Sequence, residues 1–563
     1  MLAQSTRRKM LSSCVKSSPG WLLFALLTSV DVSESIVIKT QNGLIRGKTG
    51  YTVDRNRTYY AFQGIPYAKP PVGNLRFQSP QPVEYWDGVL TTDTDAPRCV
   101  QTNKEQILGK EDCLYLNVYT PQLPDITKPL LPVMVWIYGG GFEAGTSEYN
   151  DTAPDYLLDQ DVIFVSFNYR LGIFGFLSLG DTTVPGNNGL KDQNLALLWI
   201  KQNIINFGGD MDQITLFGQS AGSASVSYHL LAPHSRGLFN KVIMQSGTSF
   251  CLWAFSRSGP EVAKDLAKDL NISTNSSWDI LSGLRNVEAY HLQKKAKDAQ
   301  NAKYLKSDPK DGFIFAPVIE PDHPDAFLNN RSYELMQTGN YFKVTALLGY
   351  NSLEGWTQVS SLFRVYLVKF DLTPSYLVPI DMNIVDPDVK NSVGKKIKYQ
   401  YFGLMPVSLS TKDLMLYISD DQFVRPIQKF AKLLAQHSPT YLYKFHYQGS
   451  LGGVSNRTST GVAHAEELGY LFRRDNIKAT ASDELTRSRM IKLWTNFAKY
   501  GDPTPENDQL LQNQRWPPIY PNSTINSFNI DGNLSLTSNP DENAVMFWDK
   551  LYAKYGHPPY DTY

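Results

Sequence analysis

The sequence lacks any excess of charge and, after its first 35 residues, any apolar run of membrane length. Its 54 basic residues balance 54 acidic ones, so no long-range field favours nucleic acid or an anionic membrane surface. No later stretch approaches the ~20 apolar residues that a spanning helix needs, and the polar C-terminus (GHPPYDTY) argues against a tail or lipid anchor. We therefore expect neither nucleic acid nor a membrane anchor as a partner, and the function has to be argued from a site.

The N-terminus carries the one pronounced apolar run. Basic residues up to Lys16 precede residues 21–30 (WLLFALLTSV). This run is too short to cross ~30 Å of hydrocarbon as a helix, and the pattern is typical of a secretion signal. We predict a signal peptide over residues 1–35, cleaved somewhere in 30–35, and a secreted mature chain.

Cysteine is scarce, with four residues in the chain. Cys14 lies in the leader, and Cys99 and Cys113 close a short loop as the natural disulfide pair of an extracellular protein. Cys251 is then left as a buried thiol or as an intermolecular link. The asparagines that begin Asn-x-Ser/Thr glycosylation sequons are Asn56, Asn150, Asn271, Asn275, Asn330, Asn456, Asn522 and Asn533.

Six short apolar runs, rich in β-branched and aromatic residues, predict buried strands. They are residues 133–138 (VMVWIY), 162–167 (VIFVSF), 214–217 (ITLF), 241–244 (KVIM), 344–348 (VTALL) and 441–446 (YLYKFH). Residues 189–207 have helical spacing of apolar side chains, and Gly208 ends that pattern. Strands that alternate with helices predict an α/β fold with a large, mostly parallel, twisted central sheet and helices on both faces.

Two segments interrupt this alternation. Residues 255–310 and 355–435 have a mixed, largely helical composition, and we predict helical insertions that form a cap or the wall of a gorge. No repeat or long low-complexity linker divides the chain, so we expect a single domain over residues 36–563.

A candidate nucleophile lies at residues 218–222 (GQSAG), between a predicted strand and a predicted helix. Chance alone supplies roughly 0.2 G-x-S-x-G matches in a chain of this length, so the context decides. A serine on such a turn is strained and needs small neighbours, which Gly218, Ala221 and Gly222 provide. The Ser220 amide also lies at a helix N-terminus, which favours developing negative charge. These features predict a serine hydrolase that forms an acyl-enzyme.

A glycine turn directly after a predicted strand supplies a second element. Residues 138–142 read YGGGF, and glycines let backbone N–H donors approach an oxyanion without obstruction. We expect the N–H groups of Gly140, Gly141 and Ala221 to form an oxyanion hole.

The nucleophile needs a histidine base, and in this topology base and acid follow later strands in the order Ser, acid, His. The other seven histidines fit less well. His229 and His234 follow Ser220 too closely, and His291 and His323 precede the best acid. His437 lies just before a predicted strand, His446 lies within it, and His557 lies in the C-terminal tail. His464 lies in a loop after the last predicted strand, in residues 461–467 (GVAHAEE), and is the best base. For the acid, Glu354 follows a strand in residues 349–355 (GYNSLEG), with Asp322 and Asp325 as alternatives.

Taken together these segments resemble the type-B carboxylesterase and cholinesterase family of α/β-hydrolases. The resemblance runs from residues 37–47 (VIKTQNGLIRG) to 494–505 (WTNFAKYGDPTP), and includes 62–73 (FQGIPYAKPPVG), 111–121 (EDCLYLNVYTP), 168–175 (NYRLGIFG) and the elbow. It implies an active site in a deep gorge, with Ser220, Glu354 and His464 as the triad. It also implies the oxyanion hole given above and a disulfide between Cys99 and Cys113.

The departures from that family bear on the substrate. Most relatives carry Glu before the nucleophile, where this chain has Gln219, and the short Cys99–Cys113 loop lacks the tryptophan that stacks on choline in cholinesterases. Losing a charge and an aromatic face disfavours quaternary ammonium substrates. The GQSAG elbow is similar to that of insect carboxylesterases and juvenile hormone esterases, so we expect neutral, apolar carboxylic esters as substrates.

Two other classes remain as alternatives. A non-enzymatic ectodomain on the same fold would usually lose the nucleophile or the histidine, and this chain keeps both. An interfacial lipase would carry an amphipathic lid, and none is readable. The proposed chemistry uses side chains and backbone donors, so we expect no cofactor and no metal.

Overall fold

A computed structural model of the chain describes residues 36–306, 312–356, 361–454, 457 and 459–563. The predicted signal peptide and the sequon at Asn456 lie outside these residues. Residues Ile36–Tyr563 cluster into one compact unit. Of the helices described, none is both long enough and apolar enough to cross a membrane.

The strands include all six that the sequence predicts. They are β1 (Ile36–Thr40), β2 (Gly43–Tyr51), β3 (Thr58–Pro66), β4 (Val89–Thr91), β5 (Gln101–Asn103), β6 (Gln106–Leu108), β7 (Tyr115–Thr120), β8 (Leu131–Ile137), β9 (Ile163–Phe167), β10 (Gly209–Gln219), β11 (Lys241–Gln245), β12 (Thr345–Asn351), β13 (Thr440–Phe445), β14 (Asn526–Ile530) and β15 (Ser535–Ser538). The predicted runs correspond to β8 to β13, with ends that move by a few residues.

Thirteen of the described strands form one mixed sheet, in the order β1-β2-β3-β7-β9-β8-β10-β11-β12-β13-β14-β15, with β4 beside β2. The run from β9 to β14 is parallel. The flanking strands pair antiparallel, except β4, which is parallel to β2. Every residue of β9 is buried. Because successive side chains of a strand point to opposite faces, the centre of the sheet is covered on both faces.

The helices lie around this sheet and in the two predicted insertions. They are α1 (Tyr149–Thr152), α2 (Asp155–Leu158), α3 (Gly172–Phe176), α4 (Asn188–Asn203), α5 (Ala221–Leu231), α6 (Gly259–Asp269), α7 (Ser277–Arg285), α8 (Ala289–Lys306), α9 (Ser332–Gln337), α10 (Ser361–Leu372), α11 (Pro387–Phe402), α12 (Thr411–Ser419), α13 (Arg425–Leu434), α14 (Ala481–Tyr500) and α15 (Glu542–Tyr555). The helix predicted over 189–207 is α4 followed by a 3₁₀ turn, and Gly208 ends it with a φ of 82°. The predicted helical insertions contain α6 to α8 and α10 to α13.

Two of the described cysteines are paired, and the described sequons lie at the surface. Cys99 and Cys113 form a disulfide, and Cys251 is a buried free thiol, which settles the choice left open by the sequence. The seven sequon asparagines within the described residues are all exposed. Their glycosylation remains a prediction.

Candidate active site

Ser220 occupies a sharp turn between a strand and a helix. Strand β10 ends at Gln219 and helix α5 begins at Ala221, and Ser220 itself has a φ of 57° and a ψ of −124°. A positive φ is strained for serine, and it is the conformation expected of a nucleophile on such a turn. Gly222 permits the turn, because a Cβ there would lie 2.0 Å from the carbonyl oxygen of Ile137.

His464 and Glu354 meet beside this turn. Glu354 follows β12 and His464 follows the neighbouring strand β13, so both lie beyond the carboxyl edge of the parallel sheet. His464 Nδ1 lies 2.7 Å from Glu354 Oε2. The carboxylate is fully buried and the ring is 11% exposed. The acid therefore fixes the orientation of the imidazole, and the second ring nitrogen is left for chemistry.

Glu354 is held by two further donors. The Ser246 hydroxyl donates to Glu354 Oε1 over 2.5 Å, and the Asn351 backbone N–H donates to the same oxygen over 2.7 Å. A carboxylate can be buried only when such hydrogen bonds replace its water. These contacts explain how an acid with no solvent exposure stays available to His464.

A second buried carboxylate, Glu467, lies behind the histidine. Its Oε2 accepts from Asn351 Nδ2 over 2.6 Å and its Oε1 accepts from Gln245 Nε2 over 3.1 Å. The same Asn351 amide donates to the carbonyl of Ala463 over 2.8 Å. In the sequence, Glu467 is the last residue of the loop 461–467 that carries the histidine, and no role was predicted for it. Its position three residues after His464 is the sequence signal that could have identified it.

The two carboxylates raise the proton affinity of the histidine. Burial lowers the pKa of His464, but the charge and hydrogen bond of Glu354 and the charge of Glu467 outweigh it and raise that pKa above 6.5. Burial, with the nearby charge of Glu354, raises the pKa of Glu467 to about 7. The charge of Glu354 is a cause of both shifts, so the protonation of His464 and that of Glu467 both depend on it.

The glycine turn after β8 lies against Ser220. A Cβ on Gly139 would be 2.9 Å from Ser220 Cβ, and Gly140 and Gly141 have φ values of 100° and 64°. Among the described residues, the N–H groups of Gly140, Gly141 and Ala221 have no hydrogen-bond acceptor. Unpaired backbone donors beside a nucleophile are what an oxyanion site requires.

Gln219, the residue before Ser220, lies beside the histidine. Its side-chain Nε2 lies 3.2 Å from His464 Nε2. The Gln219 amide therefore lies within hydrogen-bond distance of the ring nitrogen that does not contact Glu354.

Three aromatic side chains form a wall next to the histidine. Phe423, from a π-helical turn between α12 and α13, has its ring centroid 5.0 Å from that of His464. Trp253 lies 5.8 Å from Phe423 and 6.1 Å from Phe313, between ring centroids. A Cβ on Gly141 would lie 3.3 Å from the Phe313 ring. The wall therefore runs from the base to the glycine turn.

The other candidates from the sequence lie elsewhere. Asp322 and Asp325 are both exposed, so neither provides the buried acid. His229 is buried within the protein, where its ring contacts Ser235 and Gln193. Burial lowers the pKa of His229 to about 3, which makes it a neutral structural residue.

The chain belongs to the carboxylesterase family, whose model matches residues 34–548. It is accordingly a carboxylic ester hydrolase, and the α/β-hydrolase fold inferred from the sequence is confirmed.

Relatives of this chain come from several insects. It is 36% identical over 518 residues to a juvenile hormone esterase of Tribolium castaneum, covering 85% of each chain. It is 34% identical to esterase FE4 of Myzus persicae, covering 89% of this chain and 90% of that one. The crystal structure of the juvenile hormone esterase of Manduca sexta, with OTFP covalently attached, superimposes with a TM-score of 0.81. It is 29% identical, and the match covers 92% of this chain and 100% of that one.

Proposed function

We propose that the chain is a secreted serine carboxylesterase in which Ser220, His464 and Glu354 form the catalytic triad and the substrates are neutral, apolar esters. The observation that carries the proposal is the 2.7 Å hydrogen bond between His464 and a fully buried Glu354, next to a strained Ser220. A strained serine, a base and an oriented acid together define the machinery of acyl transfer.

The cycle has two steps. The Ser220 hydroxyl transfers its proton to His464 Nε2 while Oγ attacks the ester carbonyl, and the imidazolium then protonates the departing alkoxide. The alcohol leaves and an acyl-serine remains. Water, deprotonated by His464, attacks the acyl carbon, and the ring returns the proton to Ser220 Oγ as the carboxylic acid is released. Glu354 holds the ring orientation and stabilises the imidazolium in both steps.

The oxyanion of each tetrahedral intermediate needs donors that are in place before reaction. The free N–H groups of Gly140, Gly141 and Ala221 are the proposed donors. Such preorganised donors typically contribute about 10²–10³-fold each to kcat.

The character of the site supports a neutral, apolar substrate. Trp253, Phe313 and Phe423 offer aromatic surface beside His464, and Gln219 brings no charge to the ring. Two of the relatives named above are juvenile hormone esterases. A terpenoid methyl ester is therefore the first substrate to test.

Secretion is supported by the leader and by the disulfide. Residues 1–35 have the pattern of a signal peptide, and a bond between Cys99 and Cys113 suits an oxidising compartment.

The experiment that tests the assignment is the Ser220→Ala variant. We expect kcat to fall by at least ~10⁴-fold while the far-ultraviolet circular dichroism spectrum stays unchanged. Mass spectrometry after treatment with an organophosphate should place the adduct on Ser220 of the unsubstituted enzyme. Near-normal turnover by the variant, or an adduct on another residue, would overturn the triad.

The substrate class is tested separately by comparing kcat/KM for a terpenoid methyl ester, a short-chain p-nitrophenyl ester and acetylthiocholine. We expect both neutral esters to be preferred over the cationic one. Preference for acetylthiocholine would contradict the proposal, and activity that rises only with emulsified esters would point to the lipase alternative.

A further inference from the structure

A cleft of about 320 Å³ on the antiparallel flank of the sheet includes Asn150 in its lining, and we call it the Asn150 cleft. The other lining residues include Lys48 of β2, Tyr59 of β3 and Tyr149 of α1. Asn150 is exposed and begins the sequon at residues 150–152 (NDT). A sugar attached to its side chain would therefore lie at this cleft.

Tyrosine rings form the apolar part of the lining. Tyr119 is buried, and its ring centroid lies 6.4 Å from that of Tyr59 and 5.8 Å from that of Tyr149. The Tyr59 hydroxyl donates to the Tyr149 hydroxyl over 3.1 Å, and the Tyr149 hydroxyl donates to Asp155 Oδ2 over 2.8 Å. Because these contacts fix the rings, an apolar face can pack against them with little loss of side-chain entropy.

Polar groups beside the rings can bind the edge of a sugar. Asp95 accepts from Gln63 Nε2 over 2.7 Å and from the Tyr149 N–H over 3.0 Å, and an ionised carboxylate has about four acceptor sites. Lys48 is exposed and donates to the carbonyl of Asp93 over 2.6 Å, and its ammonium can donate further hydrogen bonds. The lining therefore combines aromatic surface with a charged donor and a charged acceptor.

This combination matches the chemistry of N-acetylglucosamine, the sugar through which an N-linked glycan is attached. One face of its pyranose ring carries C–H groups that pack on aromatic rings, and its hydroxyl and N-acetyl groups lie around the edge of the ring. Small-molecule sites have volumes of roughly 300–1,000 Å³. The Asn150 cleft lies at the lower end of that range, which suits a single sugar ring.

We propose that Asn150 is glycosylated and that the first N-acetylglucosamine of its glycan is bound in the Asn150 cleft. In the secretory pathway the side-chain amide nitrogen attacks C1 of this sugar in a lipid diphosphate-linked oligosaccharide. The N–C1 bond forms, the C1–O bond to the diphosphate breaks, the lipid diphosphate leaves, and the nitrogen loses one proton. This inference rests on the proposed function in one respect, since only a secreted chain meets this donor.

Covalent attachment lets a weakly binding cleft hold the sugar. A short tether gives an effective concentration on the order of mM, which a free monosaccharide would have to reach in solution. The bound sugar in turn shields its own bond to Asn150 from enzymes that cleave it. Protection of this bond in the native protein is therefore the property to measure.

The test measures how fast a peptide N-glycosidase removes each glycan from the native protein secreted by insect cells. Cleavage converts the asparagine into aspartate, so peptide mass spectrometry follows every sequon separately. Asn330, with the other occupied sequons, is the matched control because it is exposed and does not line the cleft. A sugar bound about nine-tenths of the time should be cleaved about tenfold more slowly. After denaturation Asn150 and Asn330 should be cleaved at the same rate.

Lys48→Met tests the cleft itself, and Lys39→Met on β1 is the matched control. Lys39 is exposed and does not line the cleft. A hydrogen bond changes a binding constant by roughly fivefold, so Lys48→Met should reduce the protection of Asn150 from about tenfold to about threefold. Lys39→Met should leave the protection unchanged, and both variants should keep the kcat/KM of the unsubstituted enzyme for a p-nitrophenyl ester.

Three results would overturn the inference: no glycan on Asn150 while other sequons are occupied, equal native cleavage rates at Asn150 and Asn330, or unchanged protection in Lys48→Met. If the chain stays inside the cell with no sequon occupied, the proposed secretion fails and the inference fails with it. Activity in Ser220→Ala would refute the triad and would leave the role of Asn150 untouched.

Discussion

Removing the Ser246 hydroxyl would show how much the hydrogen bonds that position Glu354 contribute to catalysis. Ser246→Ala removes the 2.5 Å hydrogen bond to Glu354 Oε1 and leaves the donor from Asn351 and the contact with His464 in place. Ser246 follows β11, and in our mechanism it acts on the ring only through Glu354. The variant therefore separates acid positioning from substrate binding.

The magnitude follows from the number of partners that Glu354 retains. A hydrogen bond to a charged group contributes about 1.5–3 kcal/mol, and two of the three contacts of this carboxylate remain. We take the lower end, because the remaining contacts limit its movement. About 1.4 kcal/mol corresponds to tenfold in rate, so we expect kcat to fall about tenfold with little change in KM.

The assay is steady-state hydrolysis of a p-nitrophenyl ester by the enzyme, Ser246→Ala and Ser249→Ala. Ser249 is a matched control because its hydroxyl is buried nearby and has no hydrogen-bond partner within the described residues. Its loss should leave kcat unchanged. The reasoning is refuted if Ser246→Ala and Ser249→Ala have the same kcat, or if Ser246→Ala acts mainly on KM.

Two further predictions concern the elbow and the base. Gly222→Ala places a Cβ 2.0 Å from the Ile137 carbonyl and should lower stability by about 1–3 kcal/mol together with activity. Gly532→Ala meets no atom within 4 Å and should change neither, so equal thermal inactivation rates for the two variants would contradict the packing argument. For the unsubstituted enzyme, kcat/KM should fall on acidification through a pKa above 6.5, because protonated His464 accepts no proton; a limb centred below 6.5 would show that the carboxylates do not act on the ring as described.

The sheet was predictable from the sequence because its central strands are buried on both faces. A continuous apolar run such as residues 162–167 is compatible with few structures other than a buried strand when it is short and flanked by turn residues. This run forms β9. The antiparallel flanks carry no such signal. Strand β15, for example, is exposed along its whole length, so its sequence has no apolar pattern that would predict its pairing with β14.

The chemistry of the site was also readable, because each group follows a parallel strand in a fixed chain order. Glu354 and His464 could be chosen from topology together with the family resemblance, and the structure brings them into contact. The family resemblance places residue 219 near the histidine, but the 3.2 Å hydrogen-bond geometry between Gln219 and His464 was not readable, because it depends on side-chain rotamers of residues 245 positions apart. Likewise, Glu467 is connected to the site by a hydrogen bond from the Asn351 side-chain amide. The orientation of that amide cannot be predicted from the local sequence.

The residues of the candidate site come from two parts of the fold, the loops after the parallel strands and the inserted helices, and these differ in how much sequence change they tolerate. The glycine turn, the elbow, the acid and the base all follow strands of the parallel sheet, where close backbone approaches such as that of Gly222 to Ile137 leave no space for change. The aromatic wall instead draws Phe423 from a π-helical turn in the inserted helices, outside the sheet. A π turn inserts an extra residue into a helix and so redirects the side chains around it. Changes in the inserted helices can therefore reshape the surface beside His464 while the proposed triad and oxyanion donors keep their geometry.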